Sequence, residues 1–218
     1  MSLTALILAA ALAPQDAYAL KWRPERGGVS VYDLFVDGAG GTIGGSVEAA
    51  LEHRVVDVRS DGSYSIRSRS LGAIVRMDGG EIKDDRPNVR TAKFDSFGHL
   101  TELVGGRQEL ESYRQILLTT FVSPPGNVAV GGSWRYDREK ERPKGLAACR
   151  IEYKLLAVED GSARVSFRFT ELEGTAAQTA EGTWWIDVKS GQATKMEAKV
   201  ANYLGTSGAS ANVRLTRR

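Results

Sequence analysis

The chain has 218 residues, of which 42% are hydrophobic and 26% charged, a composition typical of a globular protein. A formal net charge of +2 provides no basic field of the kind that binds nucleic acid. Cys149 is the single cysteine, which excludes an intramolecular disulfide. The length allows one large β-rich domain or two small ones.

The first residues have the pattern of a secretory signal peptide. An apolar run from Leu3 to Leu12 is followed by Pro14 and by the small-x-small cleavage signal Ala17-Tyr18-Ala19. The run is too short to span a bilayer, which requires about 20 residues, and no lysine or arginine precedes it. The sequence predicts a signal peptide over residues 1–19, a mature chain beginning at Leu20, and a periplasmic or secreted location. No cysteine lies near the cleavage site, so we expect a product without a lipid anchor.

Strands are predicted through residues 29–104. The predicted ranges are 29–36, 47–58, 64–70, 71–77, 91–95 and 99–104. Within the second range Val47 and Val55 share one face, whereas Val56 and Val58 lie on the other, which predicts a bulge or strong bend. The glycine-rich residues 38–45 fit neither a dinucleotide-binding nor a P-loop spacing, so they are predicted to connect a hairpin.

One helix is predicted among the strands, from Gln108 to Phe121. Its apolar stripe recurs at helical spacing and consists of Leu110, Tyr113, Leu117 and Phe121. Ser123-Pro124-Pro125-Gly126 ends it. Because a lone amphipathic helix needs an apolar partner, we expect it to cover the apolar face of a sheet.

Residues 147–217 predict five successive strands. Apolar and polar side chains alternate with a period of two, which is typical of an antiparallel sheet with one buried face. The bulky members of that face include Phe167, Phe169, Trp184, Ile186 and Met196.

The predicted fold is mainly β, a curved antiparallel sheet or open barrel of about eleven or twelve strands with one amphipathic helix packed on the concave face or mouth. Residues 20–218 are predicted to form a single β-rich domain. Residues 58–67 resemble 158–165, and 94–101 resemble 186–194, in the same order. Two duplicated halves joined by a helix and linker over 107–126 would explain this, but Asp-Gly-Ser hairpins also recur by chance in β-proteins.

Two resemblances accompany this pattern. The layout is similar to the periplasmic lipoprotein-carrier fold, an incomplete barrel whose concave face is covered by helices. Residues 124–134, Pro-Pro-Gly-Asn-Val-Ala-Val-Gly-Gly-Ser-Trp, resemble the Pro-x-x-Val-x-Val-Gly-x-x-Trp segment of uncharacterised secreted bacterial domains, which carries no known activity. The first resemblance implies, by analogy of fold alone, a binding role.

Catalytic machinery is not indicated. The sequence contains neither a Gly-x-Ser-x-Gly nor a His-Glu-x-x-His pattern. His99 is predicted at an exposed turn, and His53, on an apolar strand face, is interpreted as a hydrogen-bonded core residue. The acidic pairs 84–85 and 171–173 are interpreted as solvated surface, and Cys149 as a small buried residue. We therefore expect no enzymatic activity, no metal site and no cofactor.

Two functions remain open. In the first, the sheet and helix hold an apolar small molecule or lipid such as an acyl chain, without nucleic acid and without stable membrane insertion. The ligand-binding residues would then be Leu110, Tyr113, Leu117, Phe121, Phe167, Phe169, Trp184 and Met196. In the second, the protein is a structural or interaction module of the cell envelope whose interior is filled by its own large side chains. No protein partner can be named from the sequence.

Overall fold

A computed structural model of the chain describes residues 16–39, 44–77, 79–105, 110–141 and 147–218. Within these residues there is one α-helix, α1 (Leu110–Leu118), and a 3-10 turn at Tyr203–Gly205. The described strands are β1 (Ala17–Tyr18), β2 (Val29–Ala39), β3 (Gly45–Val58), β4 (Tyr64–Met77), β5 (Gly80–Asp84), β6 (Val89–Phe94), β7 (Leu100–Val104), β8 (Val128–Ala129), β9 (Ser133–Arg138), β10 (Cys149–Glu159), β11 (Ser162–Glu171), β12 (Thr179–Asp187), β13 (Ala193–Ala201) and β14 (Ser210–Arg217).

Twelve of these strands form one antiparallel sheet. Its order is β7-β6-β4-β3-β2-β14-β13-β12-β11-β10-β9, with β5 paired to β4 beside β6. Each half of the chain is a meander, and β14 returns to pair with β2, which joins the two meanders. The sheet is not closed into a barrel, because β7 and β9 are its edges. The prediction of a mainly β fold with one helix and a large curved antiparallel sheet is thus confirmed.

Bulges interrupt the long hairpin of β3 and β4. Val55 pairs with Ile66 and Asp57 with Ser65, so Val56 is the extra residue at the predicted change of phase. A second bulge, at Leu71 in β4, lies where the sequence predicted a break between two strands, and β4 is instead continuous. Such bulges increase the local bend and twist of a sheet. The hairpin predicted at 38–45 is confirmed by the pairing of Gly38 with Gly45, although residues 40–43 lie outside the described residues.

The helix is shorter at its end than the sequence predicted. It stops at Leu118, and Gln108 and Glu109 lie outside the described residues. Tertiary hydrogen bonds hold the next segment in a non-helical conformation. The Val122 N–H donates to the Tyr153 hydroxyl (3.3 Å), and the Val122 carbonyl accepts from Trp134 Nε1 (3.0 Å).

The opening between the two sheet edges is bridged by this segment and by a ring contact. The Ser123 N–H donates to the Phe97 carbonyl in the β6–β7 turn (2.9 Å). His99, just before β7, stacks on Tyr136 in β9 with 4.1 Å between ring centroids. The turn before one edge strand therefore contacts the other edge strand directly.

Two hydrophobic clusters stabilise the fold. The larger lies mainly on β10–β14 and β2, where Trp184, Phe169 and Met196 are at most 1% exposed. The smaller lies between α1 and strands β4, β6 and β7, and includes Tyr64, Phe94, Leu100, Leu103, Tyr113 and Ile116. Burying such a large apolar side chain contributes roughly 1.5–3 kcal/mol, so α1 depends on this contact rather than on helix propensity.

The N-terminal residues that the structure describes lie against the domain. Ala17 and Tyr18, at the predicted cleavage site, pair with β8, and Leu20 is completely buried. Cleavage after Ala19 would remove this two-residue ladder. Residues 1–15, with the predicted apolar run, lie outside the described residues.

Candidate functional site

A cavity of about 360 Å³ lies between the concave face of β2, β3, β4 and β6 and the end of α1. From the helix side it is lined by Gln115, Ile116 and Thr119, and Phe121 follows them. Its volume falls at the lower end of the range of small-molecule sites, roughly 300–1,000 Å³. It is therefore large enough for one small ligand and too small for a two-chain lipid.

The sheet wall of the cavity is built from aligned rows of side chains. Ile66 in β4 pairs with Val55 on one side and with Ala92 on the other, which makes one apolar row across three strands. Two residues earlier in β4, Tyr64 pairs with Phe94, and their rings stack at 5.2 Å between centroids. All five side chains line the cavity.

The next row along the same strands is polar. Consecutive register partners across β2, β3, β4 and β6 are Ser30, His53, Ser68 and Arg90. Gln192, from the β12–β13 turn, donates through Nε2 to the Ser30 hydroxyl (2.8 Å) and to the Tyr32 hydroxyl (3.2 Å). These residues also line the cavity, so one polar row crosses an otherwise apolar wall.

Two groups of the polar row have perturbed protonation equilibria. Burial, assisted by the positive charge of Arg90, lowers the pKa of His53 to about 4, so its ring is neutral at pH 7. Burial also lowers the pKa of the Arg90 guanidinium from its usual value. His53 packs its ring against Tyr32 at 5.0 Å between centroids. Among the described residues it makes no side-chain hydrogen bond, so the interpretation of His53 as a hydrogen-bonded core residue is wrong.

The mouth of the cavity is formed by the N-terminal segment and two hairpin turns. Trp22 packs edge-on against Tyr64, and the Arg23 N–H donates to the Ser190 carbonyl. Gly191 has φ +69°, and a Cβ there would lie 2.2 Å from the Lys21 carbonyl oxygen, so only glycine permits this approach. Ser96, Phe97 and Gly98 of the β6–β7 turn line the other side.

Helix α1 is fixed to the second half of the sheet by a buried ion pair. Arg114 Nε and Nη2 donate to the two carboxylate oxygens of Glu171, both at 2.7 Å, and Glu171 also accepts from the Gln178 N–H (2.8 Å). Glu171 is 6% exposed, so its interpretation as solvated surface is wrong. A Cβ at Gly205 would lie 1.7 Å from Arg114 Nη1, so this glycine makes room for the guanidinium.

The predicted site residues separate into two groups. Phe121 and Trp184 line the cavity. The other six pack into the hydrophobic clusters and do not line it: Leu110, Tyr113, Leu117, Phe167, Phe169 and Met196. The structure thus brings two of the eight predicted residues to the cavity. On α1 the predicted apolar stripe packs into the hydrophobic clusters, and the cavity is lined instead by the neighbouring residues Gln115, Ile116 and Thr119.

Sequence reasoning missed Arg90, Ser68 and Gln192. A signal for the first two was present, since Ser68 is in phase with Tyr64 and Ile66, and Arg90 is in phase with Ala92 and Phe94. A polar side chain on an apolar face is the informative deviation in a strand.

The other side chains that could take part in catalysis or metal binding instead make structural contacts. His99 Nδ1 lies 2.6 Å from Asp95 Oδ2, and its ring is partly buried against Tyr136 rather than at an exposed turn as predicted. Asp84 pairs with Arg86 at the surface. Cys149 is 1% exposed, as predicted, and burial raises its pKa to about 11, which suppresses the thiolate. The described residues hold no group of three potential metal ligands.

No family model, curated protein or solved structure matches the chain. In the part of the chain that the structure describes, no helix has both the length and the apolarity to cross a bilayer.

Proposed function

We propose that this protein binds a small single-chain apolar ligand, of the acyl-chain class, in the cavity between β2–β6 and α1. The observation that carries the proposal is the cavity itself, about 360 Å³ beside a sheet face on which other large side chains are fully packed. Interiors are normally filled to the density of organic crystals, so empty space of this size within the fold lowers stability unless a ligand or solvent fills it.

The position of α1 over the cavity is also compatible with a carrier. The buried Arg114–Glu171 pair holds α1 in place, so α1 acts as a fixed roof and exchange of ligand would take place at the mouth formed by Trp22 and the two turns. The proposal assigns no catalytic step to any residue.

The structural-module alternative is supported by a different part of the molecule. In the second half of the sheet, Phe167, Phe169, Trp184 and Met196 fill the concave face themselves. The carrier and structural-module hypotheses therefore differ in whether the cavity beside β2–β6 holds a ligand, and an experiment can test that cavity directly.

Two variants separate them. Ile66→Trp replaces an aliphatic side chain on the cavity wall by a bulky indole ring, which fills part of the cavity, because Ile66 is half-buried and lines it. We expect the melting temperature to change little and the binding of 1-decanol, measured by titration calorimetry, to be lost. Leu117→Ala is the matched control, because Leu117 packs against both clusters without lining the cavity. It should cost about 2 kcal/mol of unfolding free energy, the lower end for Leu→Ala, and leave binding unchanged.

Absence of saturable decanol binding by the unsubstituted chain would contradict the proposal. So would an Ile66→Trp variant that binds as tightly as the unsubstituted chain. In either case the structural module becomes the better hypothesis.

A further inference from the structure

The polar row of the cavity contains a positive charge for which the described part of the chain provides no counter-charge. Arg90 lies at the start of β6 with its side chain on the cavity wall, and it is the residue of that row with a permanent charge. Among the described residues, no carboxylate lies within ion-pair distance of Arg90 and none of its nitrogens donates a hydrogen bond to a protein acceptor. Two arginines of β4 do have such partners, Arg69 in Glu52 and Arg76 in Glu48.

No residue in the described ranges neutralises this guanidinium. His53 is uncharged at neutral pH and, if it titrated, would add a like charge. Among the described residues that line the cavity, Glu25 is the acidic one, and it is exposed. The remaining charged lining residues, Arg23 and Arg217, are positive, so the lining has an excess of positive charge. A partly buried, unpaired guanidinium is costly, and an anion that reaches it recovers that cost.

The polar, apolar and aromatic rows of the sheet wall follow one another along the strands, which determines where the polar and apolar parts of a bound ligand would lie. Ser68 and Ile66 are two residues apart on β4, as are Arg90 and Ala92 on β6, so the polar row lies roughly 7 Å from the apolar row. The aromatic pair Tyr64–Phe94 follows at about the same interval, roughly 13 Å from the polar row. A polar group at one end and a single apolar chain extending away from it match this spacing.

We propose that the cavity selects a single-chain carboxylate, with its head group on Arg90 and Ser68 and its chain along Val55, Ile66 and the Tyr64–Phe94 pair. This inference rests on the proposed function and adds the class of head group to it. The planar guanidinium fork matches the two oxygens of a carboxylate, and a single cation balances a monoanion. The Ser68 hydroxyl and a ring N–H of neutral His53 can donate further hydrogen bonds to the same oxygens.

The test compares three ligands of equal chain length on the full chain at pH 7.5: decanoate, 1-decanol and decyl phosphate. Binding is measured by titration calorimetry with the unsubstituted chain and with Arg90→Gln, Arg90→Lys and Arg67→Gln. Arg67 is the matched control, since it precedes Ser68 on β4, is exposed and points away from the cavity.

We expect the unsubstituted chain to bind decanoate at least about tenfold more tightly than decanol, as a charge-assisted hydrogen-bonded pair provides. Arg90→Gln should weaken decanoate at least about tenfold and leave decanol unchanged, Arg90→Lys should retain part of the preference, and Arg67→Gln should behave as the unsubstituted chain. Because no protein partner is lost, Arg90→Gln should melt at the same or a higher temperature than the unsubstituted chain, which distinguishes a ligand-binding charge from a structural one.

Three results would overturn the inference. Equal affinity for decanoate and decanol in the unsubstituted chain leaves the carrier function standing without a head-group site. Tighter binding of decyl phosphate than of decanoate makes the site one for a phosphate head. A lowered melting temperature of Arg90→Gln together with equal weakening of all three ligands identifies Arg90 as a structural residue. Binding of none of the three ligands contradicts the carrier function itself.

Discussion

Protonation of His53 is opposed by its position in the cavity wall. Its pKa is lowered to about 4, first by burial and second by the charge of Arg90, whereas the unfolded chain has the ordinary value of 6.5. Below pH 6.5 the unfolded state therefore binds the proton that the folded state does not. The stabilisation is complete above pH 6.5, is lost as pH falls towards 4, and changes no further below that.

This linkage gives a measurable pH dependence. The difference between the folded and unfolded pKa of His53 corresponds to at most about 3 kcal/mol, reduced by any solvent that reaches the ring through the cavity. Urea unfolding at pH 7.5 and pH 4.5 should show a smaller loss of stability for His53→Gln than for the unsubstituted chain. His99→Gln, at the β6–β7 turn outside the polar row, is the control. An unchanged pH slope in His53→Gln would contradict the burial of the ring.

Single residues also show what a sequence can and cannot reveal about this site. The bulge at Val56 was predictable, because two valines changed face within one strand. The alignment of Ser30, His53, Ser68 and Arg90 was not, because it depends on the register of three strand pairs and on β5 lying between β4 and β6 in the chain. A void leaves no pattern in the sequence, since periodicity reports which side chains are buried and not where side chains are missing.

At the scale of the elements, α1 illustrates the same limit. Its predicted apolar stripe does pack against the sheet, where Tyr113 is buried and Leu110 and Leu117 are partly buried. The stripe faces the core, however, while Ile116 and Thr119 face the cavity. What fixes the rotation of the helix is Arg114, a residue on the polar side of the pattern, whose partner Glu171 is distant in sequence.

The Arg114–Glu171 pair should dominate the stability of this helix. Glu171→Gln removes the charge but keeps the size, and it leaves Arg114, 9% exposed, without a counter-ion. Breaking a buried pair in this way costs about 3–5 kcal/mol of unfolding free energy. Glu173→Gln provides the control, because Glu173 pairs with Lys140 at the surface and should lose less than about 1 kcal/mol.

Thermal melts of the two variants test this difference. If Glu171→Gln melts within a degree or two of Glu173→Gln, the buried pair does not hold α1 and the helix is free to move over the cavity. Ligand exchange by helix opening, rather than at the mouth, would then be favoured.

At the scale of the molecule, the two meanders differ in how their concave faces are filled. β10–β14 carry aromatic and aliphatic side chains that meet in the larger cluster, whereas β2, β3, β4 and β6 carry apolar rows and one polar row around the cavity. The β6–β7 and β12–β13 turns both have an aspartate N–H that donates to the carbonyl of the residue at the far end of the turn, at His99 and Gln192 respectively. Both turns border the cavity mouth. Duplication of an ancestral half remains a prediction, and these turns are where it can be compared.

The predicted signal peptide at the N-terminus bears on where the protein is located. We propose that the protein is exported and cleaved after Ala19, and intact-mass measurement of the protein from its native cell should give a chain that begins at Leu20. We expect the domain to tolerate this cut, because β1 contributes two register pairs, Ala17–Ala129 and Tyr18–Val128, and one partly buried side chain, Tyr18, at the edge of the larger cluster, while the cavity lining begins at Trp22. A chain of residues 20–218 should therefore keep its melting temperature within a few degrees and keep its ligand affinity. Leu20→Ala in the same chain should cost about 2–5 kcal/mol, because Leu20 is completely buried in the larger cluster. Recovery of an uncleaved chain with Met1 from the cytoplasm would contradict export, and a large loss of stability in residues 20–218 would show that β1 belongs to the folded domain rather than to a removable leader.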